Sequence, residues 1–201
     1  MTDNKTDKIE EPIASYGTSY TYADYLKFQF EEMVELIRGK IYKMSAAPRK
    51  NHQLISMALS NVIYNYLENK PCQVFAAPFD VILPVRNQAK NKATTVIQPD
   101  ICVICDENKL DDAGCFGAPD WIIEIISPAT SKKDLNDKYS IYEEAGVNEY
   151  WIVFPLEQII SKYILKNKKY ERTESYIPED IISPDLFPEL KIEVEKIFPD
   201  K

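Results

Sequence analysis

A chain of 201 residues, 45% hydrophobic and 28% charged, can bury one real core and has an ordinary globular profile. Its net charge of −8 argues against a surface coated for nucleic acid, although Lys and Arg cluster locally at 49–50, 86–92 and 132–138. No apolar run is long enough to span a membrane and the polar start lacks a signal-peptide core, so the expectation is a cytoplasmic protein with a loose tail over 1–17 and one domain over 18–198.

In chain order, Thr21 or Ser19 can cap a short helix over about 22–29. Residues 34–44 read as a hairpin turning at Arg38-Gly39. Glu35 alternates with Val34 and Leu36, which points it toward solvent, so it is kept only as an accessory candidate. Residues 50–68 form the longest helix, with Ile55, Leu59, Val62, Ile63 and Tyr66 as its apolar stripe. His52 lies on that stripe but in the first turn, and simple packing is the plainer reading for it. Strand 72–84 breaks near Pro78, and a polar loop covers 86–95. Strand 97–105 is followed by a long acidic loop, then by strand 120–126, which stops at Ser127-Pro128. A helix over 131–145 ends at Gly146. Strand 149–154 and an antiparallel pair, 158–165 and 168–174, joined at Lys166-Asn167, come next. A Pro-rich tail over 177–201 is mostly loop, with one short apolar segment around 190–197. Helix, three strands, helix and strand, with further strands outside, make a mixed-sheet α/β sandwich.

The four cysteines, at 72, 102, 105 and 115, need not be bridged in a cytosolic chain. Cys102 and Cys105 spell C-x-x-C, but on a strand they face opposite ways. The only histidine is His52, so structural zinc is set aside.

Two acidic residues stand where a carboxylate is costly. Glu124 sits inside Trp121-Ile122-Ile123-Glu124-Ile125-Ile126, a run that reads as a strand buried on both faces, and Asp100 heads the apolar run Ile101-Cys102-Val103-Ile104. A metal ion is the usual reason for such a pair. On the helix over 131–145, Lys138 shares the stripe of Leu135, Tyr142 and Ala145. It can reach toward Glu124 and Asp100, or it can pair one turn back with Asp134 at the surface.

Pro99-Asp100, Glu124-Ile125-Ile126-Ser127-Pro128, Asp134, Lys138, Tyr142, Gly146 and Tyr150-Trp151 together resemble the Uma-type restriction endonucleases of the PD-(D/E)XK nuclease superfamily. Val34-Glu35-Leu36-Ile37-x-Gly39 and His52 resemble the family's N-terminal signature. The resemblance spans roughly 20–195. It implies a restriction-endonuclease-like mixed β-sheet sandwiched by helices, an αβββαβ core with additional antiparallel strands. It also implies a metal-dependent endonuclease acting on nucleic acid, DNA above RNA, with Asp100, Glu124 and Lys138 as catalytic residues and Glu35 and His52 as accessory ones. Mg²⁺ or Mn²⁺ would be held by Asp100, Glu124 and the backbone carbonyl of Ile125. One departure stands out: two residues after the glutamate, where the superfamily has lysine, this chain has Ile126, and the resemblance hands the role to Lys138. A homodimer is implied too, in line with the abundance of apolar residues over 149–165. The competing reading is a catalytically inactive nuclease fold serving as a homodimeric binding or regulatory module, which the charge of −8 favours.

Overall fold

The apolar runs assemble into two six-stranded sheets and a two-stranded ribbon. The computed structural model describes residues 19–29, 33–44, 49–84, 88–127 and 132–198, with the side chains of 132–134 excepted. The tail expected over 1–17 lies outside them.

The larger core is built on β3 (Gln73–Ala76), β6 (Ile101–Ile104), β9 (Trp121–Ile125), β10 (Glu149–Phe154), β11 (Ile159–Lys166) and β12 (Lys169–Tyr176), in spatial order β12-β11-β10-β9-β6-β3. β9 and β10 run parallel and are joined by α3 (Lys132–Ala145), while the other neighbours pair antiparallel. All five residues of β9 are buried, as a strand covered on both faces requires. One face, with Val103, Trp121, Ile123, Trp151 and Val153, packs on α2 (Lys50–Leu67) through Ile55, Leu59, Ile63 and Leu67. The other, with Cys102, Ile104, Ile122, Tyr150 and Ile152, packs on Ile141 and Tyr142 of α3. Strand alternation therefore sends Glu124 to the α3 side, with Ile122.

The second sheet contains β1 (Val34–Ile37), β2 (Lys40–Lys43), β4 (Val81–Ile82), β5 (Val96–Ile97), β7 (Leu110–Asp111) and β8 (Gly114–Phe116), in order β2-β1-β5-β4-β8-β7. The chain passes between the sheets repeatedly, among other places from β3 to β4 through the cis Ala77–Pro78 bond and from β5 to β6 through Gln98-Pro99-Asp100. The strand expected over 97–105 is thus two strands in two sheets. Pro99 has no N–H to offer a ladder, which suits it to the crossing.

Other differences lie in short elements that periodicity cannot resolve. α1 (Tyr22–Tyr25) is a single turn, with the Thr21 hydroxyl donating to Asp24 Oδ2 at 2.7 Å. The acidic loop contains the β7–β8 hairpin. Gly114 there stands at φ +132°, and a Cβ would come 2.2 Å from the Asp80 carbonyl oxygen. The β11–β12 turn falls at Asn167-Lys168, both at positive φ (51° and 64°), one residue later than expected. The segment expected to be mostly loop carries β13 (Ile181–Ile182) and β14 (Ile192–Glu193). It buries Ile182, Leu190, Ile192, Val194, Ile197 and Phe198 against the α2-side core.

A polar clasp ties that segment down. Glu149 accepts from the Trp151 indole at 2.7 Å and from the backbone N–H groups of Asp185 and Leu186 at 2.8 and 3.3 Å. Buried Lys162 lies 3.7 Å from Glu149, donates to the Ser183 carbonyl at 2.8 Å and pairs with Asp185. Cys72 and Cys105 form a disulfide, because the β3–β6 register that sets Gln73 opposite Ile104 also sets these two opposite each other. Cys102 and Cys115 are buried free thiols. Cys102 belongs to the α3-side core and Cys105 packs against the α2-side one, as their spacing on a strand dictates.

Candidate active site

The β6–β9 register pairs Ile101 with Ile123, and one step further along it sets Asp100 beside Glu124. Asp100 Oδ2 accepts the Ile125 N–H at 2.7 Å, which fixes its carboxyl against the Glu124–Ile125 peptide. Its Oδ1 lies 3.1 Å from His52 Nε2 in the first turn of α2. Glu124 Oε1 accepts from the Tyr142 hydroxyl at 2.6 Å and from Lys138 Nζ at 3.0 Å. Lys138 and Tyr142 are one turn apart on α3, so a single helix face delivers both donors. Lys138 Nζ also lies 3.3 Å from Glu35 Oε1. Glu35 in turn accepts the Gln98 N–H at 2.9 Å, and Gln98 Nε2 donates to Asp80 Oδ1 at 2.8 Å. The Tyr25 hydroxyl reaches the same Asp80 oxygen at 3.4 Å.

All five expected side chains therefore meet in one cluster, drawn from both sheets and both long helices. Two expectations need correcting. Glu35 does not face solvent: it is 7% exposed, because its side of β1 turns toward α3. His52 does more than pack, since it pairs with Asp100. Lys138 does take the inward option toward Glu124, while the Asp134 side chain lies outside the described residues, as do those of Lys132 and Lys133. Sequence reasoning missed Gln98, Asp80 and Tyr25. It placed Tyr142 on the core stripe without assigning it to the site, although its spacing of four from Lys138 was a usable signal. Gln98 had a weaker one, its place beside Pro99-Asp100.

Burial and charge oppose each other here. Burial pushes the Glu124 carboxyl up and neighbouring Asp100 adds to this, against Lys138 and the Tyr142 hydrogen bond, so that it titrates near 7. Burial pulls Lys138 down, but Glu124, Glu35 and Asp100 outweigh it and hold the ammonium above the usual lysine range. The pair thus has a firmly protonated lysine and a carboxyl reluctant to ionise. Burial lowers His52 as well, yet the Asp100 hydrogen bond and charge raise it overall.

Three carboxyls, Glu35, Asp100 and Glu124, face two bases, Lys138 and His52. Hard oxygen donors in slight acidic excess fit a hard divalent cation. The bonds Glu124 accepts from described residues both end on Oε1, so Oε2 is the natural donor to a metal. Asp100 and the Ile125 carbonyl would complete the protein's share. No three His, Cys, Asp or Glu side chains among the described residues close up as a full metal cage.

Over 121 residues the chain is 27% identical to the uncharacterized protein slr1290 of Synechocystis, covering 59% of this chain and 60% of that one. The chain thus matches less than two thirds of that relative's length. The crystal structure of a putative nuclease belonging to DUF820 from Anabaena variabilis superposes with a TM-score of 0.70 at 22% identity, covering 89% of this chain and 97% of that one. That likeness shows the fold. The family described as "Uma2: Putative restriction endonuclease" matches residues 21–195, essentially the whole described region, and the chain belongs to that family.

Proposed function

We propose that the protein is a metal-dependent endonuclease that hydrolyses phosphodiester bonds in DNA. The observation that carries this reading is the buried Lys138 ammonium, 3.0 Å from Glu124 beside Asp100. Glu124, Asp100 and the Ile125 carbonyl would hold Mg²⁺ or Mn²⁺, which when bound polarises a phosphate and acidifies a water. Lys138 has three N–H donors, spends one on Glu124 and keeps its charge 3.3 Å from Glu35, which leaves a donor for a phosphate oxygen whose charge grows in the transition state. It occupies the functional place left by Ile126. Tyr142 orients Glu124, and the Ile125 N–H orients Asp100. His52, on the far side of Asp100, offsets the carboxyl excess. A cytoplasmic homodimer belongs to the same reading; no helix among the described residues is long and apolar enough to cross a membrane.

The net charge of −8 supports a second reading, a nuclease fold that binds without cutting. A cleavage assay on supercoiled plasmid, single-stranded DNA and RNA, with Mg²⁺, Mn²⁺ or chelator, separates the two. Nicking or linearisation that needs metal and stops with chelator is expected. Intact DNA under every metal condition, with retained divalent binding by calorimetry, would favour the binding module. Cleavage of RNA alone would move the substrate class.

A further inference from the structure

The outer face of α2 carries three large apolar side chains, Leu54, Met57 and Tyr64, that nothing among the described residues covers, in a stripe that is self-complementary. Its exposed stripe reads Lys50, Leu54, Met57, Asn61, Tyr64 and, at the C-cap, Glu68. The steps are four, three, four, three and four residues, the seam spacing of a two-helix coiled coil. Met57 and Tyr64 are 67% and 66% exposed, unusually much for large apolar groups on a helix whose other face is core. Among the described residues, neither Lys50 nor Glu68 has an ion-pair partner.

The stripe matches itself when reversed. Laid antiparallel on a copy about a two-fold axis near its middle, Lys50 meets Glu68, Leu54 meets Tyr64 and Met57 meets Asn61. Gln53 and Asn65, both exposed and uncharged, then face each other along the rim. No like charges meet anywhere on the seam. A parallel arrangement lacks this matching, because it sets Lys50 on Lys50 and Glu68 on Glu68.

We propose that two copies of this chain associate through α2, antiparallel across a two-fold axis, with Leu54, Met57 and Tyr64 as the apolar seam and Lys50–Glu68 closing both ends. This rests on the homodimer reading and gives it a surface. Of the large apolar side chains over 149–165, Leu156 stands exposed, at 76%, and one residue does not make a seam. Tyr150 and Trp151 are fully buried, and Tyr163 packs edge-on to Tyr139 at 5.3 Å inside the monomer. The interface is isologous, so each contact occurs twice. It leaves His52, on the inward side of the helix, in place at the site.

Sedimentation equilibrium of the full chain, in low and moderate salt, tests this with four variants. The unmodified protein should run at twice the 23.2 kDa chain mass at tens of micromolar. Met57→Glu should make it monomeric without loss of helicity, since the site is exposed. Lys50→Glu or Glu68→Lys alone should weaken association about tenfold, each turning two attractive pairs into repulsive ones. The double swap should restore it. A monomer throughout would overturn the dimer itself. A dimer indifferent to Met57→Glu, or a double swap as weak as the single ones, would overturn the α2 surface while leaving a dimer elsewhere. Either set is readable apart from cleavage activity.

Discussion

Lys138 is the residue on which function and stability part company. Lys138→Ala should abolish metal-dependent cleavage, because it removes a contact to the reacting phosphate. It should also cost about 3 kcal/mol at pH 8 by leaving Glu35 and Glu124 facing each other buried. Lys138→Arg should recover most of that stability but little of the rate, since a planar guanidinium cannot place its charge as an ammonium does. Urea titrations beside the cleavage assay check both, and full activity in Lys138→Ala would end the catalytic assignment. The neighbouring acid sets a pH dependence. Glu124 titrates near 7 in the folded protein, above its unfolded value, so the metal-free fold holds a proton that the unfolded chain releases, and stability falls as pH rises from about 4.5 to 7. His52, also raised, contributes stabilisation that is full below its unfolded pKa of about 6.5 and is lost as pH rises through its folded value. Both slopes have the same sign, so metal-free melts should worsen from pH 5 to 8, and Mn²⁺ should restore the loss at pH 8. Glu124→Gln should flatten the slope, raise the metal-free midpoint at pH 8 by about 2–4 °C for each kcal/mol recovered, and lose the Mn²⁺ response. At this scale the sequence was informative where a charge was expensive. Glu124, Asp100 and Lys138 stood out against apolar surroundings. Glu35 did not, because alternation tells which way a side chain points along one strand and not what a distant helix brings over it.

Elements of ten or more residues were legible and two-residue strands were not. α2 and α3 carry three or four turns of periodic burial, and each lies within a residue of its expected bounds. β4, β5, β7 and β8 hold two or three residues each, too few for any period, and their pairing is decided by the second sheet as a whole. The Cys72–Cys105 bridge belongs here, because it staples the segment after α2 to the end of β6, and their other ends meet at His52 and Asp100. A bridge closing a separation of 33 residues is worth about 3–4 kcal/mol in the chain-entropy account. Such bonds are rare in reducing compartments. Urea midpoints should fall on adding reductant in the unmodified protein and stay put in Cys72→Ser; equal midpoints with and without reductant in both would show that the bridge contributes nothing.

For the whole molecule, the mixed α/β class was legible from strand and helix order, whereas the division into two sheets was not. It depends on crossings such as 77–78 and 98–100, which fall inside the longer strands, 72–84 and 97–105, that the sequence suggests. The final segment was legible only as a short apolar stretch around 190–197: its buried residues are scattered among turns, and what they pack on is fixed only by the folded sheet. The Glu149–Lys162 clasp gives that segment a consequence in time. β10 places a carboxylate in the interior, and the backbone groups that satisfy it belong to residues 185 and 186. A chain ending at Tyr176 would bury that acid without its Asp185 and Leu186 partners and would lack six core residues, so it should not give a protease-resistant product. During synthesis the sheet therefore cannot close as its strands emerge from the ribosome. It must wait until residues 177–198 are clear of the exit tunnel, and limited proteolysis of stalled nascent chains should show protection arriving all at once when they emerge.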